Sequence, residues 1–120
     1  MHPPTIAMRE PTYFVLAALL AGPLHGYAII KRAEEISNGR VRLATGTLYT
    51  ALDRLTAAGH VELVSELVVG GRVRRSYGLT DAGSAALRAE ALRMSEAARL
   101  VTEAPSEPRA SRLRRKPRTA

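Results

Sequence analysis

Apolar and polar positions follow two different periods along this chain. Apolar residues recur every three or four positions in four segments, which is typical of helices with a buried face. Between His60 and Leu79 the period changes to two, which is typical of strands. The pattern therefore predicts a mainly α fold with a small β-hairpin (α+β), in the order helix, helix, short strand, helix, hairpin, helix.

The segment from Ala44 to Gly59 predicts one short helix with a defined start and end. Thr45 or Thr47 can cap its first turn, and Gly59 can adopt the left-handed conformation that closes its last turn. Its apolar stripe consists of Leu48, Ala51, Leu52 and Leu55. The opposite face is polar and free of large aliphatic side chains, so it can lie in a DNA major groove or face water.

Two helices are predicted before that segment. The first begins after Thr12 and runs through an apolar stretch to Ala21, where Gly22-Pro23 ends it. This helix is apolar on all sides, and a small chain has little material to cover it. Part of its surface is therefore expected to meet a second subunit, through Tyr13, Phe14 and Leu16.

His25-Gly26 opens the second helix, which is predicted to run from Tyr27 to about Ser37. His25 is expected to bond the helix backbone or to meet solvent. Asn38-Gly39 is a strong turn signal. The alternating residues Arg40–Leu43 can form one very short strand, which leads into the segment at Ala44.

The two-periodic region predicts a β-hairpin. His60–Leu67 and Val73–Leu79 are the strand candidates, and Gly70-Gly71 is the turn between them. Its tip carries Arg72, Arg74 and Arg75. An arginine-rich edge can prevent aggregation between strands, or it can bind DNA phosphates, and the preceding helix favours the second interpretation.

The last helix carries a coiled-coil seam. Thr80-Asp81 cap it, and it is predicted to run to about Glu103. Apolar residues spaced by four and three form the seam, which consists of Leu87, Ala91, Met94, Ala98 and Val101. The seam favours a two-fold homodimer, and the alternative is a helix that packs back on its own domain.

The net charge of +7 is unevenly distributed. Residues 105–120 hold six basic residues and one acid, so they carry +5 and are predicted to be a disordered basic tail. Residues 1–104 are nearly balanced, and the total charge alone does not identify a nucleic-acid-binding domain. With the tail set apart, the predicted domains are an N-terminal arm (1–11), a DNA-binding domain (12–79) and a dimerisation helix (80–104).

The composition argues against several classes of function. The absence of Cys excludes disulfide scaffolds and thiolate metal sites, and the three His residues form no metal-binding pair. No nucleophile and base stand together, so we predict no catalytic residue, metal or cofactor and no enzyme activity. The apolar run Tyr13–Leu24 has about half of the ~20 residues that a membrane span needs. A cytoplasmic protein without a membrane partner is expected.

The order of elements is that of a winged helix-turn-helix with a C-terminal dimerisation helix. In such a fold one helix enters a major groove of double-stranded DNA and the hairpin touches the backbone or minor groove. The predicted base-reading residues are Thr47, Tyr49, Thr50 and Arg54. The predicted contacts to the DNA backbone are Gly46, Arg72, Arg74 and Arg75.

Four collinear motifs resemble the PadR-type transcriptional regulators. They are Leu19–Ile29, Gly46–Leu55, the glycine–arginine turn before Tyr77, and Leu79–Gly83. The resemblance implies a homodimeric bacterial repressor of the compact branch, dimerised through its first and last helices. Some compact members bind a small-molecule effector between subunits. The family often has Ser-Pro where this chain has Ala44-Thr45.

Two alternatives stay open. A winged helix can bind another protein instead of DNA, and such a hairpin would more often show exposed aliphatic side chains. The basic tail alone could also bind nucleic acid without regard to sequence.

Overall fold

Residues 8–106 are described in the computed structural model of the chain, and the predictions for residues 1–7 and 107–120 lie outside them. The elements are α1 (Glu10–Ala18), β1 (Leu24–His25), α2 (Gly26–Ile36), α3 (Thr45–Ala57), β2 (Val61–Val69), β3 (Arg72–Leu79) and α4 (Asp81–Thr102). The predicted mainly α fold with a small hairpin is confirmed. The chain divides into one compact unit that ends at Glu90 and a second that begins at Ala91.

The apolar stripes of the helices meet in one core in the first unit. The stripe predicted for α3 is confirmed, since all four of its residues are buried. Its three leucines pack with side chains from α1, α2, the hairpin and the start of α4. The core cluster consists of Val15, Leu16, Ala18, Leu19, Ile29, Leu48, Leu52, Leu55, Val61, Tyr77 and Leu87.

Helix α1 begins earlier than predicted. Arg9 is its N-cap, and Pro11 lies in its first turn. Proline is favoured there because its fixed φ suits a helix and its missing N–H would have no partner. The predicted start after Thr12 is therefore wrong, and the helix also ends earlier, at Ala18.

The sheet is antiparallel, with strand order β1-β3-β2. β1 supplies the third strand, because Leu24 pairs with Tyr77 and His25 with Ser76. The short strand predicted at Arg40–Leu43 is wrong. That segment has no place in the sheet, and its buried Val41 N–H donates to Ser37 Oγ at 2.9 Å instead.

The hairpin formed by β2 and β3, called the wing below, turns where predicted. Gly70 and Gly71 have φ values of 56° and 77°. A two-residue turn with positive φ at both positions matches the right-handed twist of the strands. A bulge interrupts the pairing of β2 with β3 between Leu63 and Ser65.

The helix boundaries around α2 and α3 depend on local capping. His25 Nδ1 accepts a hydrogen bond from the Ala28 N–H at 3.4 Å, which confirms its predicted bond to the backbone. The N-cap of α3 is Ala44, without a side-chain cap bond, so the predicted cap at Thr45 or Thr47 is wrong. Gly59, with φ of 80°, closes α3 as predicted.

The first turn of α4 is tied to the loop after α3. Thr80 Oγ1 donates to the Gly59 carbonyl at 2.5 Å and accepts from the Gly83 N–H at 3.0 Å. Gly83 lies directly against the carbonyl oxygen of His60. Over residues 8–106, no helix combines the length and the apolar character that crossing a membrane requires.

Candidate nucleic-acid interface

The outward face of α3 presents small polar side chains and one arginine. Thr47, Thr50 and Arg54 are all exposed, as is Asp53 between them. Thr50 Oγ1 donates to the Gly46 carbonyl at 3.0 Å. Because its hydroxyl proton is used within the helix, Thr50 offers its methyl group and its oxygen lone pairs to an outside partner. A thymine methyl is an apolar partner of this kind.

Tyr49 is placed differently from the other three predicted base-reading residues. It is half-buried and packs at the edge of the core. A methyl group added at Gly26 would stand 2.5 Å from the Tyr49 hydroxyl oxygen. The hydroxyl therefore faces the start of α2, and this placement does not fit the base-reading role predicted for Tyr49.

Tyr77 marks the point where β3, α3 and β1 converge. Burial raises the pKa of the Tyr77 phenol above its ordinary value of 10.0, and the neighbouring Tyr49 raises that pKa further. Tyr77 also pairs with Leu24 across the sheet. The base of the wing is thus joined to β1, which leads into α2, and lies next to Tyr49 of α3.

The three arginines at the tip of the wing are not equivalent. Arg75 Nε lies 3.1 Å from Glu66 Oε1, so its charge is partly neutralised. Neither Arg72 nor Arg74 has an acidic partner among residues 8–106. Counting outward from the Gly70-Gly71 turn pairs Glu66 with Arg75, and the sequence alone contained this signal.

The wing also exposes aliphatic side chains. Val68 is 74% exposed, and three neighbouring aliphatic residues are exposed as well, namely Leu67, Val69 and Val73. Exposed aliphatics are the feature expected of a protein-binding wing, whereas unneutralised arginines are expected of a DNA-binding wing. Both features therefore occur on the same hairpin.

The residues predicted for the dimer interface fall into two groups. Leu16 and Leu87 are buried in the core of their own chain, so neither side chain is available to a second subunit in this conformation. Tyr13 and Phe14 are half-buried and touch edge to face, with ring centroids 5.3 Å apart. Ala91 is half-buried, and the remaining predicted residues are exposed, namely Met94, Ala98 and Val101.

Between residues 8 and 106, no three His, Cys, Asp or Glu side chains gather as metal ligands would. Two shallow hollows of about 370 and 360 Å³ lie open to solvent. The first is lined only by residues 96–104 and the second only by residues 31–39, so each lies on one stretch of surface.

Comparison with known sequences gives one family and two relatives. A model of the transcriptional regulator PadR-like family matches residues 15–89. An uncharacterized 37.1 kDa protein in transposon TN4556 of Streptomyces fradiae is 44% identical over 87 residues, which are 72% of this chain and 24% of that protein. The transcriptional regulator Rv3488 of Mycobacterium tuberculosis is 48% identical over 69 residues, or 57% of this chain and 63% of that protein. The chain thus spans about a quarter of the length of the first relative and under two thirds of the length of the second.

Comparison with solved structures gives the same family. Bacillus subtilis PadR in complex with operator DNA is similar with a TM-score of 0.60 and 27% sequence identity. The match covers 68% of this chain and 46% of that one.

Proposed function

Because the chain belongs to the PadR-like family of transcriptional regulators, we propose that it is a cytoplasmic repressor that binds double-stranded operator DNA as a homodimer. Helix α3 lies in a major groove, and the wing contacts the backbone or the minor groove. The operator complex of the B. subtilis relative supports this proposal. So do Arg72 and Arg74, which are left without carboxylate partners among residues 8–106. Membership of a regulator family also argues against an enzyme.

Gly46 is the observation that carries the DNA-binding proposal. It lies in the first turn of α3, its φ is not positive, and a methyl group added to it would meet nothing within 4 Å. Glycine in a helix costs up to about 1 kcal/mol relative to alanine. The fold of the chain thus gives no reason for glycine here. A DNA backbone that approaches the start of α3 closely does give one.

Replacing Gly46 with alanine is expected to change stability and DNA binding in opposite directions. The free energy of unfolding rises by up to about 1 kcal/mol, because alanine restricts the unfolded chain and favours the helix. Affinity for duplex DNA falls by about tenfold, or ~1.4 kcal/mol, because the methyl group holds the phosphate away. Urea unfolding and fluorescence anisotropy on a duplex selected from genomic fragments measure the two effects.

Ala44→Ser is the matched control for Gly46→Ala. It adds the missing N-cap and stabilises the same turn by about 1 kcal/mol, but it leaves the space beside Gly46 open. We expect this variant to bind DNA as the unchanged chain does. Equal affinities for Gly46→Ala and the unchanged chain would contradict the close approach of DNA.

Exposed apolar residues on α4 support the homodimer. Within the second unit Val101 is 76% exposed, and Leu92, Met94 and Leu100 are also exposed. Apolar side chains repeated along a helix surface are stable when a second helix covers them. A second copy of α4 is the partner that two-fold symmetry supplies. We propose that a small-molecule effector, where one acts, binds between the subunits.

Introducing two acids on this stripe is expected to separate the subunits. In Met94→Glu/Val101→Glu each subunit would have to bury two carboxylates in the dimer, and unpaired buried charges are strongly unfavourable. Analytical ultracentrifugation should show a monomer for this variant. It should show a dimer for Ser95→Glu/Thr102→Glu, which adds the same two charges at exposed polar positions of the same helix. If the double variant is still a dimer, α4 is not part of the interface.

The exposed aliphatics of the wing favour a second candidate function, which is binding to another protein. This reading predicts that the purified dimer ignores duplex DNA even at low salt. The repressor proposal predicts tight binding under the same conditions, with an affinity that falls steeply as salt is added.

A further inference from the structure

The start of α2 lies between the two elements that the proposed function assigns to DNA. On one side, His25 pairs with Ser76 in β3, next to the arginines of the wing. On the other side, Gly26 packs against Tyr49 of α3. The first turn of α2 is therefore close both to α3 and to the base of the wing.

Tyr27 lies in this first turn of α2. It is 67% exposed, and it is the one aromatic side chain with this degree of exposure among residues 8–106. One turn further along α2, Lys31 places its ammonium nitrogen 5.7 Å from the centre of the Tyr27 ring. This cation–π contact orders a long and otherwise mobile side chain at the surface.

The charge of Lys31 is not neutralised within the described part of the chain. Glu34 and Glu35 follow it at three and four positions, yet neither forms an ion pair with it. The Lys31 side chain leans toward Tyr27, one turn nearer the N-terminus, although Lys31 also lines the shallow hollow that contains Glu34 and Glu35. The ammonium group is therefore available to an anion at the N-terminal end of α2.

We propose that Tyr27 and Lys31 form a third contact with the DNA, at the sugar–phosphate backbone between the groove filled by α3 and the wing. The Tyr27 hydroxyl donates to a phosphate oxygen, and its ring holds Lys31 where the ammonium group meets the same strand. The proposal rests on the proposed function. Phosphate contacts set position and affinity and carry no base preference, so this pair strengthens binding to every sequence alike.

The test measures the dependence of DNA affinity on salt concentration for four variants. Lys31→Gln removes one phosphate contact, so the slope of log K against log salt becomes shallower by about 0.9 on selected and unselected duplexes alike. Tyr27→Phe keeps the ring and the slope and weakens binding several-fold. Tyr27→Ala releases Lys31 and makes the slope shallower as well.

Arg32→Gln is the matched control, because Arg32 is an exposed cation on the same helix that also lacks an acidic partner among residues 8–106. Its slope should match that of the unchanged chain. Identical slopes for Lys31→Gln and the unchanged chain would overturn this inference and leave the repressor proposal standing. If Lys31→Gln and Arg32→Gln make the slope shallower by the same amount, the change is a general effect of charge, and this inference is overturned as well. If the unchanged chain binds no duplex, the proposed function itself fails.

Discussion

Replacing both Arg72 and Arg74 with alanine is expected to weaken binding to every duplex sequence by a similar factor. These arginines have no carboxylate partner among residues 8–106, so each is free to displace a counterion from a phosphate. Losing two such contacts makes the slope of log K against log salt shallower by about 2. Because phosphates carry no sequence information, the ratio of affinities for selected and unselected duplexes stays nearly constant.

The comparison that isolates this effect is Glu66→Ala/Arg75→Ala, which removes a neutral pair from the same hairpin. The double change alters the side chains of the wing but not its net charge, and its salt slope should match that of the unchanged chain. Anisotropy titrations at several salt concentrations give both slopes. If the Arg72 and Arg74 changes leave affinity and slope untouched, the wing does not contact the DNA backbone.

Replacing Gly83 with alanine is expected to cause the largest loss of stability of any change considered. A methyl group there would overlap the carbonyl oxygen of His60, which already accepts a hydrogen bond from the Thr80 N–H at 3.1 Å. Because the obstacle is backbone, no side-chain rotation relieves the overlap. Overpacking of this kind costs ~3 kcal/mol at the upper end of its usual range.

Thermal unfolding followed by circular dichroism measures this cost. A loss of ~3 kcal/mol in a domain of this size lowers the melting temperature by roughly 10–20 °C. Ala85→Ser is the control, since Ala85 is exposed in the same helix and its change should stay within about 0.5 kcal/mol. A melting temperature close to that of the unchanged chain for Gly83→Ala would show that α4 can move away from His60 at little cost.

Local patterns were sufficient to predict the elements that the site is built on. The stripe of α3 repeats with a clear helical period. Two adjacent glycines between two alternating segments indicate a hairpin turn. Both predictions depend on neighbours within one element. For the same reason, the exposed positions of Thr47, Thr50 and Arg54 followed from the pattern.

Features that depend on distant residues were not predictable in this way. The third strand is Leu24–His25 because the edge of β3 lies beside it, and nothing within Arg40–Leu43 shows that this edge is already occupied. Tyr49 sits on the flank of α3, and the absence of a side chain at Gly26, far away in the sequence, leaves room for its hydroxyl there.

Two residues predicted for the dimer interface, on α1 and α4, are buried in the core for a related reason. A helix that is apolar on all sides does not show which of its residues face the chain's own core. Leu16 and Leu87 were predicted for the dimer interface, and both are core residues because α1 and the start of α4 contribute to the same core as α3. Glu66 could have been paired with Arg75 by counting from the turn, since the bulge lies beyond them.

The bulge between Leu63 and Ser65 divides the wing into a root that packs in the core and an outer part that does not. At its root, Val61 faces Leu79 and belongs to the core, while the outer pairs from Ser65–Ser76 to Val69–Arg72 take their alignment from the glycine turn. An extra residue at the junction absorbs a mismatch between the two alignments. The outer part is thus a separable module: exchanging residues 66–75 for another tip should change how strongly the protein holds the DNA backbone, and it leaves the Ser76–His25 pairing and the core beneath intact.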